Sequence, residues 1–311
     1  MRRKQKRKIY RNRRIVICLF LFFLSCAIVA GIRSFSDISS KPSAEKGTNS
    51  SLSYQTVEKK TQDIHSGDLV LVNNKTEYKF PENNRLKSVF NLKNNDYQVK
   101  DKDVLLVEQI MSPLNQMLAD FRKEKGENDL IVISGYRTKE YQAGLLQQRI
   151  KEDGAAEAAK WVAQPGGSEH HTGYALDFGI YTRSGKSEDY TGQGKYGWIN
   201  ENCWKYGFIV RYPSDKTDLT GILYEPWHFR YVGLPHAATI REKGFCLEEY
   251  IDYLRQFPYD GEHLQVTAEG KSYEIYFVKA DGKKTKIPVP KNKTYNLSGN
   301  NTDGFIVTVT L

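Results

Sequence analysis

Residues 168–177 read Ser168-Glu169-His170-His171-Thr172-Gly173-Tyr174-Ala175-Leu176-Asp177, a polar loop running into an apolar strand candidate, Tyr174–Phe178. A histidine in the loop is followed seven positions later by an aspartate on the strand, and a turn at Gly173 brings the two side chains within reach of one metal ion. Some fifty residues on stands Glu225-Pro226-Trp227-His228, where a second histidine sits at the mouth of another strand candidate with a carboxylate three positions before it. Catalytic zinc takes three protein ligands of the His, Asp or Glu type and leaves a fourth position to water. His170, Asp177 and His228 supply such a set. Glu225 is then free to serve as general base on the attacking water. A third element, Ser134-Gly135-Tyr136-Arg137, follows an apolar strand candidate, and an arginine on a tight loop at a strand end suits an anion such as a terminal carboxylate or a developing oxyanion. Each motif alone is common, and a lone histidine is more often a hydrogen-bonded structural residue. The combination carries the argument.

Outward from these motifs the chain alternates helix and strand signals without a βαβ rhythm, so the class is α+β. Ile110, Leu114, Met117, Leu118 and Phe121 recur at helical spacing, with Ser112-Pro113 placed as N-cap and first helical residue and Gly126 as the stop. Leu130–Ser134 reads as a buried strand. Thr138–Ile150 and Ala155–Ala163 read as helices, Phe208–Arg211 and Phe229–Val232 as strands, and Pro235–Glu242 and Leu247–Arg255 as closing helices. Leu69–Val72 is a short strand-like run before Asn73-Asn74. Beyond Pro258, alternating runs at Tyr273–Val278, Lys284–Val289 and Gly304–Thr310 form a small β appendage.

The net charge of +9 invites a nucleic-acid reading, but nine of the 46 Lys and Arg lie within residues 1–14 and the remaining 37 equal the 37 acids. The basic pI therefore reports topology, and no nucleic-acid partner is expected. Ile15–Ile32 contains only Ser25 as a polar residue. As a helix it would run roughly 27 Å, close to a bilayer core. A basic segment before one apolar span keeps the N-terminus cytoplasmic and exports the rest. A cleaved signal peptide, or a lipoprotein using Cys26, are the other readings, and all three place residues 33–311 outside. The organisation expected is a cytoplasmic segment (1–14), a transmembrane anchor (15–32), a disordered linker (33–65), a catalytic domain (66–258) and a β subdomain of unassigned role (259–311). Cys203 and Cys246 read as two buried thiols rather than a bridge.

Taken together, Ser168, His170, Gly173, Ala175 and Asp177 match the SxHxxGxAxD signature of the VanY-type D-Ala-D-Ala carboxypeptidases. The chain also resembles that family in Glu225-Pro226-Trp227-His228 and Ser134-Gly135-Tyr136-Arg137, in the same order. The resemblance covers residues 66–258. It implies a compact zinc-peptidase domain with a central, mainly antiparallel sheet, the fold shared with hedgehog. It also implies Zn2+ on His170, Asp177 and His228, Glu225 as base, and Arg137 on the substrate carbonyl or carboxylate. The substrate implied is a peptidoglycan stem pentapeptide, with a link to glycopeptide resistance; a monomer is expected. Ser168, Tyr136 and Trp227 are candidate substrate contacts. Tyr174 stands where the family often has a smaller residue, which would alter the pocket wall. Two alternatives stand beside this reading: an L,D-carboxypeptidase acting on tetrapeptide stems, and a non-catalytic zinc-containing cell-wall binding module.

Overall fold

The computed structural model describes residues 52–311 apart from 82–84 and 183. The anchor and basic segment expected in residues 1–32 lie outside the described residues. No helix among the described residues is long and apolar enough to cross a membrane.

The central sheet joins β3 (Gln98–Val99), β5 (Leu130–Ser134), β6 (Ala175–Tyr181), β9 (His228–Tyr231) and β8 (Phe208–Val210) in that order, with β7 (Ser187–Asp189) on the outer half of β6; β2 (Leu86–Ser88) pairs with β4 (Leu105–Val107) apart from it. Every pairing is antiparallel except β3 with β5. Side chains on a strand alternate between faces. Leu176 and Phe178 of β6 and Phe229 of β9 therefore point one way, into a core shared with Leu114, Met117, Leu118 and Phe121 of helix α1 (Met111–Lys125). Asp177, His228 and Arg230 point the other way. The functional groups thus occupy the face that the main helix leaves free. α1 begins at Met111 with Ile110 as N-cap, continuing from a short 3-10 turn over Glu108–Ile110, so Ser112-Pro113 lies inside its first turn rather than at the cap. Pro113 is tolerated there because the first turn has no intrahelical acceptor for its missing N–H. Helix α2 (Lys139–Asp153) starts from Thr138, whose hydroxyl accepts the Tyr141 N–H at 3.1 Å. Ala155–Ala158 makes a single helical turn, shorter than the spacing predicts.

Larger expectations also give way. The linker placed over 33–65 ends early: Tyr54–Lys60 forms strand β1, paired in antiparallel register with β12 (Lys284–Pro290). Only Tyr54, Val57 and Lys59 are half-buried in it, and the step of three from Tyr54 to Val57 does not follow the strand period of two, so the sequence shows no strand pattern there. The segment Leu69–Val72, expected as a short strand, is buried but is not a strand. Its backbone groups bond to side chains and a loop instead: Arg230 donates to the Asp68 and Val70 carbonyls, Asn301 donates to the Leu71 carbonyl, and the Leu69 N–H donates to Ser298.

The C-terminal strands β10 (Leu264–Ala268), β11 (Lys271–Lys279), β13 (Tyr295–Gly299) and β14 (Gly304–Thr310) form one sheet in the order β10-β11-β14-β13. Ile275, Phe277 and Ile306 pack on helices α3 (Leu234–Lys243) and α4 (Leu247–Leu254), together with Leu69, Leu71 and Ile209. Tyr276, Phe305, Val307 and Val309 pack on the opposite side against β1 and β12. A strand covered on both faces reads as a continuous apolar run, which is what Phe305–Val307 shows. Position 259 is therefore no boundary in the packing. Cys203 and Cys246 are buried free thiols, and burial pushes them up to about 12 and about 11.

One contact across this junction makes stability depend on pH. His236 of α3 is buried between the Tyr250 hydroxyl (2.7 Å) and the Thr308 hydroxyl (2.9 Å). Burial lowers its pKa from 6.5 to about 3, so the folded protein holds it neutral while the unfolded chain protonates below 6.5. Its contribution is complete above pH 6.5 and is lost as pH falls towards about 3. In urea unfolding, wild type should lose up to about 1.4 kcal/mol more per pH unit across that window than His236→Gln. Parallel curves for the two proteins would assign the acid sensitivity elsewhere.

Candidate active site

Strand register brings the three sequence motifs together. Asp177 of β6 lies directly across from His228 of β9 on one side and from Ser134 of β5 on the other, where the ladder shifts by one residue after Val132. Directly opposed residues share a face with their Cβ atoms about 5 Å apart. Asp177 and His228 are thus neighbours by pairing alone. His170 arrives from the 3-10 turn Glu169–Thr172, which ends at Gly173 with φ +72°. A Cβ at Gly173 would stand 2.6 Å from Leu86 Cδ2, so the turn needs glycine for conformation and for space.

His170, Asp177 and His228 are all buried, and one ligand atom from each lies within 4.8 Å of the others. His170 Nε2 is 3.2 Å from Asp177 Oδ2, and His228 Nδ1 is 3.0 Å from Asp177 Oδ1. Yet Asp177 Oδ1 is buried without a hydrogen-bond partner, because the geometry at 3.0 Å is not that of a hydrogen bond. Lone pairs converging on one point without donating to each other are what a cation requires. The ring hydrogen of His170 is committed elsewhere: Nδ1 donates to the Gly135 carbonyl at 2.6 Å, leaving the Nε2 lone pair free. Burial and the nearby Arg137 lower His170 to about 4, so it is neutral, as a ligand must be. On His228, burial is outweighed by Asp177 and Glu169, which raise it to about 9. The carboxylates here call for positive charge, and a divalent cation would answer that demand. The donor set fits a metal.

Glu225 sits 3.8 Å from His228 Nδ1 and is 7% exposed. Burial raises its carboxyl to about 7, poised for proton exchange near neutrality. Arg137 spans from the cluster to the cavity. Its Nη2 pairs with Asp177 Oδ2 at 2.6 Å and its Nε donates to Ser134 at 2.9 Å. Burial of Asp177 is outweighed by His170 and Arg137, which hold it well below the usual carboxylate range.

The cluster forms one wall of a cavity of about 320 Å³ that also carries Arg137, Glu225, Ser168 and Trp227. Tyr136, the other candidate contact, is not among the lining residues; its N–H donates to the Leu105 carbonyl and pins the loop that carries Arg137. Tyr174 is likewise absent from the cavity wall and stacks on Tyr231 at 6.4 Å. Sequence reasoning missed Gln142, Trp161 and Ile222, which line the cavity from α2 and from loops together with Tyr212. Trp161 stacks on Trp227 at 6.4 Å. It also passed over Glu169, whose carboxylate is fully buried between Arg211 and Arg230. Burial alone would raise that carboxyl, but the two arginines hold it far below its ordinary range. Its position beside His170 was the one available signal. His171 is a clamp: Nδ1 donates to the Arg137 carbonyl at 2.7 Å while Nε2 accepts the Gly166 N–H at 3.0 Å.

Gly135 is the more tightly enclosed of the two glycines that frame His170. A Cβ there would lie 2.3 Å from the Leu105 carbonyl oxygen, a backbone atom that cannot swing aside. Gly135→Ala should displace the carbonyl that orients His170, with divalent-metal affinity falling about 10- to 100-fold. Overpacking should also cost about 1–3 kcal/mol of stability. Metal titration and thermal unfolding check both. Unchanged affinity would show that His170 does not depend on this acceptor.

With this geometry in view, the comparisons with known proteins are direct. The VanY D-alanyl-D-alanine carboxypeptidase family model matches residues 103–234, which include all three motifs. A D-alanyl-D-alanine carboxypeptidase of Enterococcus faecium is 40% identical over 268 residues, covering 84% of this chain and 82% of that protein. The structure is similar to that of the vancomycin resistance D,D-dipeptidase VanXYg, solved with a D-Ala-D-Ala phosphinate analogue. The TM-score is 0.74 at 32% identity, over 83% of this chain and all of that one (100%). It is also similar to the LD-carboxypeptidase LdcB, with a TM-score of 0.52 at 31% identity over 61% of this chain and 88% of the other. By sequence over most of its length and by fold, the chain belongs to the VanY family of D-alanyl-D-alanine carboxypeptidases, which are hydrolases.

Proposed function

We propose that this protein is a zinc-dependent D,D-carboxypeptidase that removes the terminal D-alanine from peptidoglycan stem pentapeptides. One observation carries the reading: three buried ligand atoms of His170, Asp177 and His228 lie within 4.8 Å of one another on the wall of a cavity that also presents Glu225. Two imidazoles and one carboxylate suit zinc with an open fourth position. Zinc held there supplies Lewis acidity to a water molecule and to the scissile carbonyl.

The chain's own residues do the rest. Glu225 takes a proton from the attacking water as its oxygen bonds to the carbonyl carbon. The C–N bond then breaks and Glu225 returns the proton to the departing D-alanine amine, leaving the shortened stem with a new carboxylate. Arg137 faces the negative charge that builds on the carbonyl oxygen or the substrate's terminal carboxylate. Ser168 and Trp227 contact the peptide. The buried base beside the cluster favours this reading over a binding module, since a site that only holds a metal has no use for one.

The place of action follows from the N-terminal sequence. A single-pass anchor over 15–32 would keep residues 1–14 in the cytoplasm and set the catalytic part on the outer face of the membrane, where stem peptides are. Trimming their termini there would remove the D-Ala-D-Ala target of glycopeptide antibiotics. The protein would act as a monomer without a nucleic-acid partner. The likeness to LdcB supports a second reading, an L,D-carboxypeptidase on tetrapeptide stems.

The test uses residues 52–311, which keep β1 paired with β12. Chelator-sensitive release of D-alanine from synthetic pentapeptide, and not from tetrapeptide, is the expected result. Release from tetrapeptide alone would move the assignment to the L,D reading. Zinc binding with no release from either would leave the binding module.

A further inference from the structure

We propose that Glu169 is the positioning carboxylate for the metal ligand His228, fixing its tautomer and ring orientation; the inference rests on the metal-site reading above. His228 turns Nδ1 towards Asp177 Oδ1 at 3.0 Å. Its Nε2 therefore points out of the cluster, and there it meets Glu169 Oε2 at 3.7 Å. Both atoms are buried, and neither has a hydrogen-bond partner. A lone donor and a lone acceptor aimed at each other in a dry interior are a hydrogen bond in waiting, because each costs free energy while unpaired.

The other oxygen of Glu169 explains why this one is free. Oε1 accepts from Arg211 Nε at 2.7 Å and from Arg230 Nη1 at 2.8 Å, and all three side chains are fully buried. Arg211 is gripped in turn by both oxygens of Glu248 on α4, at 2.9 and 2.7 Å. Arg230 Nη2 donates to the Asp68 and Val70 carbonyls, each at 2.9 Å. Two arginines and two glutamates already balance in charge. Nothing in that balance requires Oε2 to face an imidazole, yet it does.

The chemistry of a metal-bound histidine gives the contact its purpose. The ligating nitrogen keeps its lone pair only if the other nitrogen carries the proton, and a carboxylate accepting that proton's hydrogen bond makes the ligand more basic. His170 obtains the same service from the Gly135 carbonyl. Glu169 would give it to His228 with a full negative charge, held in place by arginines on β9 and at the end of β8.

The experiment compares the full chain in detergent as wild type, Glu169→Gln and Glu248→Gln. Zinc affinity is read by competition with a chromophoric chelator, and ligand geometry by the visible spectrum of the cobalt-substituted protein. Glu169→Gln should lose at least about tenfold in zinc affinity and shift the cobalt bands. Glu248→Gln removes a carboxylate from the same buried network without touching His228. It should keep the wild-type cobalt spectrum and a zinc affinity within about twofold, even where its melting temperature falls. Equal affinities in all three proteins, or equal losses in both variants, would overturn the proposal. Where Glu169→Gln does not fold, Glu169→Asp keeps the charge for the arginines but withdraws it from His228, and it should show the same selective loss. A wild type that takes up neither zinc nor cobalt would overturn the metal-site reading itself.

Discussion

Glu225→Gln is expected to lower kcat for D-alanine release by about 10²- to 10⁴-fold while zinc content stays at the wild-type level. The substitution keeps the shape of the side chain and removes its ability to take a proton. Glu225 is 3.8 Å from His228 Nδ1, near enough to the cluster to reach a water there. Its burial raises the carboxyl to about 7, which matches an acceptor that must also give the proton back. Rate and metal content, measured on the same preparation, separate the possible roles. Activity within a few-fold of wild type would place the base on another residue. Loss of zinc along with activity would make Glu225 a ligand rather than a base.

How far the sequence carried this site follows from how each part is encoded. Asp177 and His228 could be grouped from sequence because both are zinc-ligand types carried by strand candidates, although only the pairing of β6 with β9 shows that they face each other directly. The faces of β6 were legible too, since Leu176 and Phe178 alternate with Asp177. What stayed hidden depends on contacts between segments far apart in the chain. Strand β1 reads as a linker in the sequence because its apolar residues, Tyr54 and Val57, follow no strand period and only the pairing with β12 defines it. The tail beyond residue 258 looked like an appendage because apolar runs reveal burial but not the surface they are buried against. Tyr136 shares its motif with Arg137, yet the loop turns only Arg137 into the cavity, a difference that adjacency in sequence does not encode. Gln142 and Ile222 could not be found from sequence, since no motif marks residues that merely wall a pocket.

The segment Leu69–Val72 shows the same limit and leads to the second large effect. Its apolar run predicted a strand, but a strand needs a neighbour, and here the carbonyls of Asp68 and Val70 are served by the guanidinium of Arg230. Arg230 is fully buried and also carries Glu169 on Nη1 at 2.8 Å. Arg230→Met keeps much of the volume but leaves three backbone acceptors, the carbonyls of Asp68, Val70 and Tyr231, and one carboxylate short of a donor. Breaking a buried ion pair from one side costs about 3–5 kcal/mol; Glu169 keeps Arg211 at 2.7 Å, so the loss here lies towards the lower end. For a domain of this size the melting temperature should fall by on the order of 10 °C. The double variant Arg230→Met with Glu169→Gln discriminates between causes, as it removes the stranded charge together with its partner. If charge is the cause, the double variant should lose clearly less than the sum of the two single losses, with a coupling of about 1–3 kcal/mol. Additive losses would mean that the orphaned carbonyls of Asp68 and Val70, rather than Glu169, dominate the cost, and that Arg230 works chiefly as the surrogate neighbour for a segment that never became a strand.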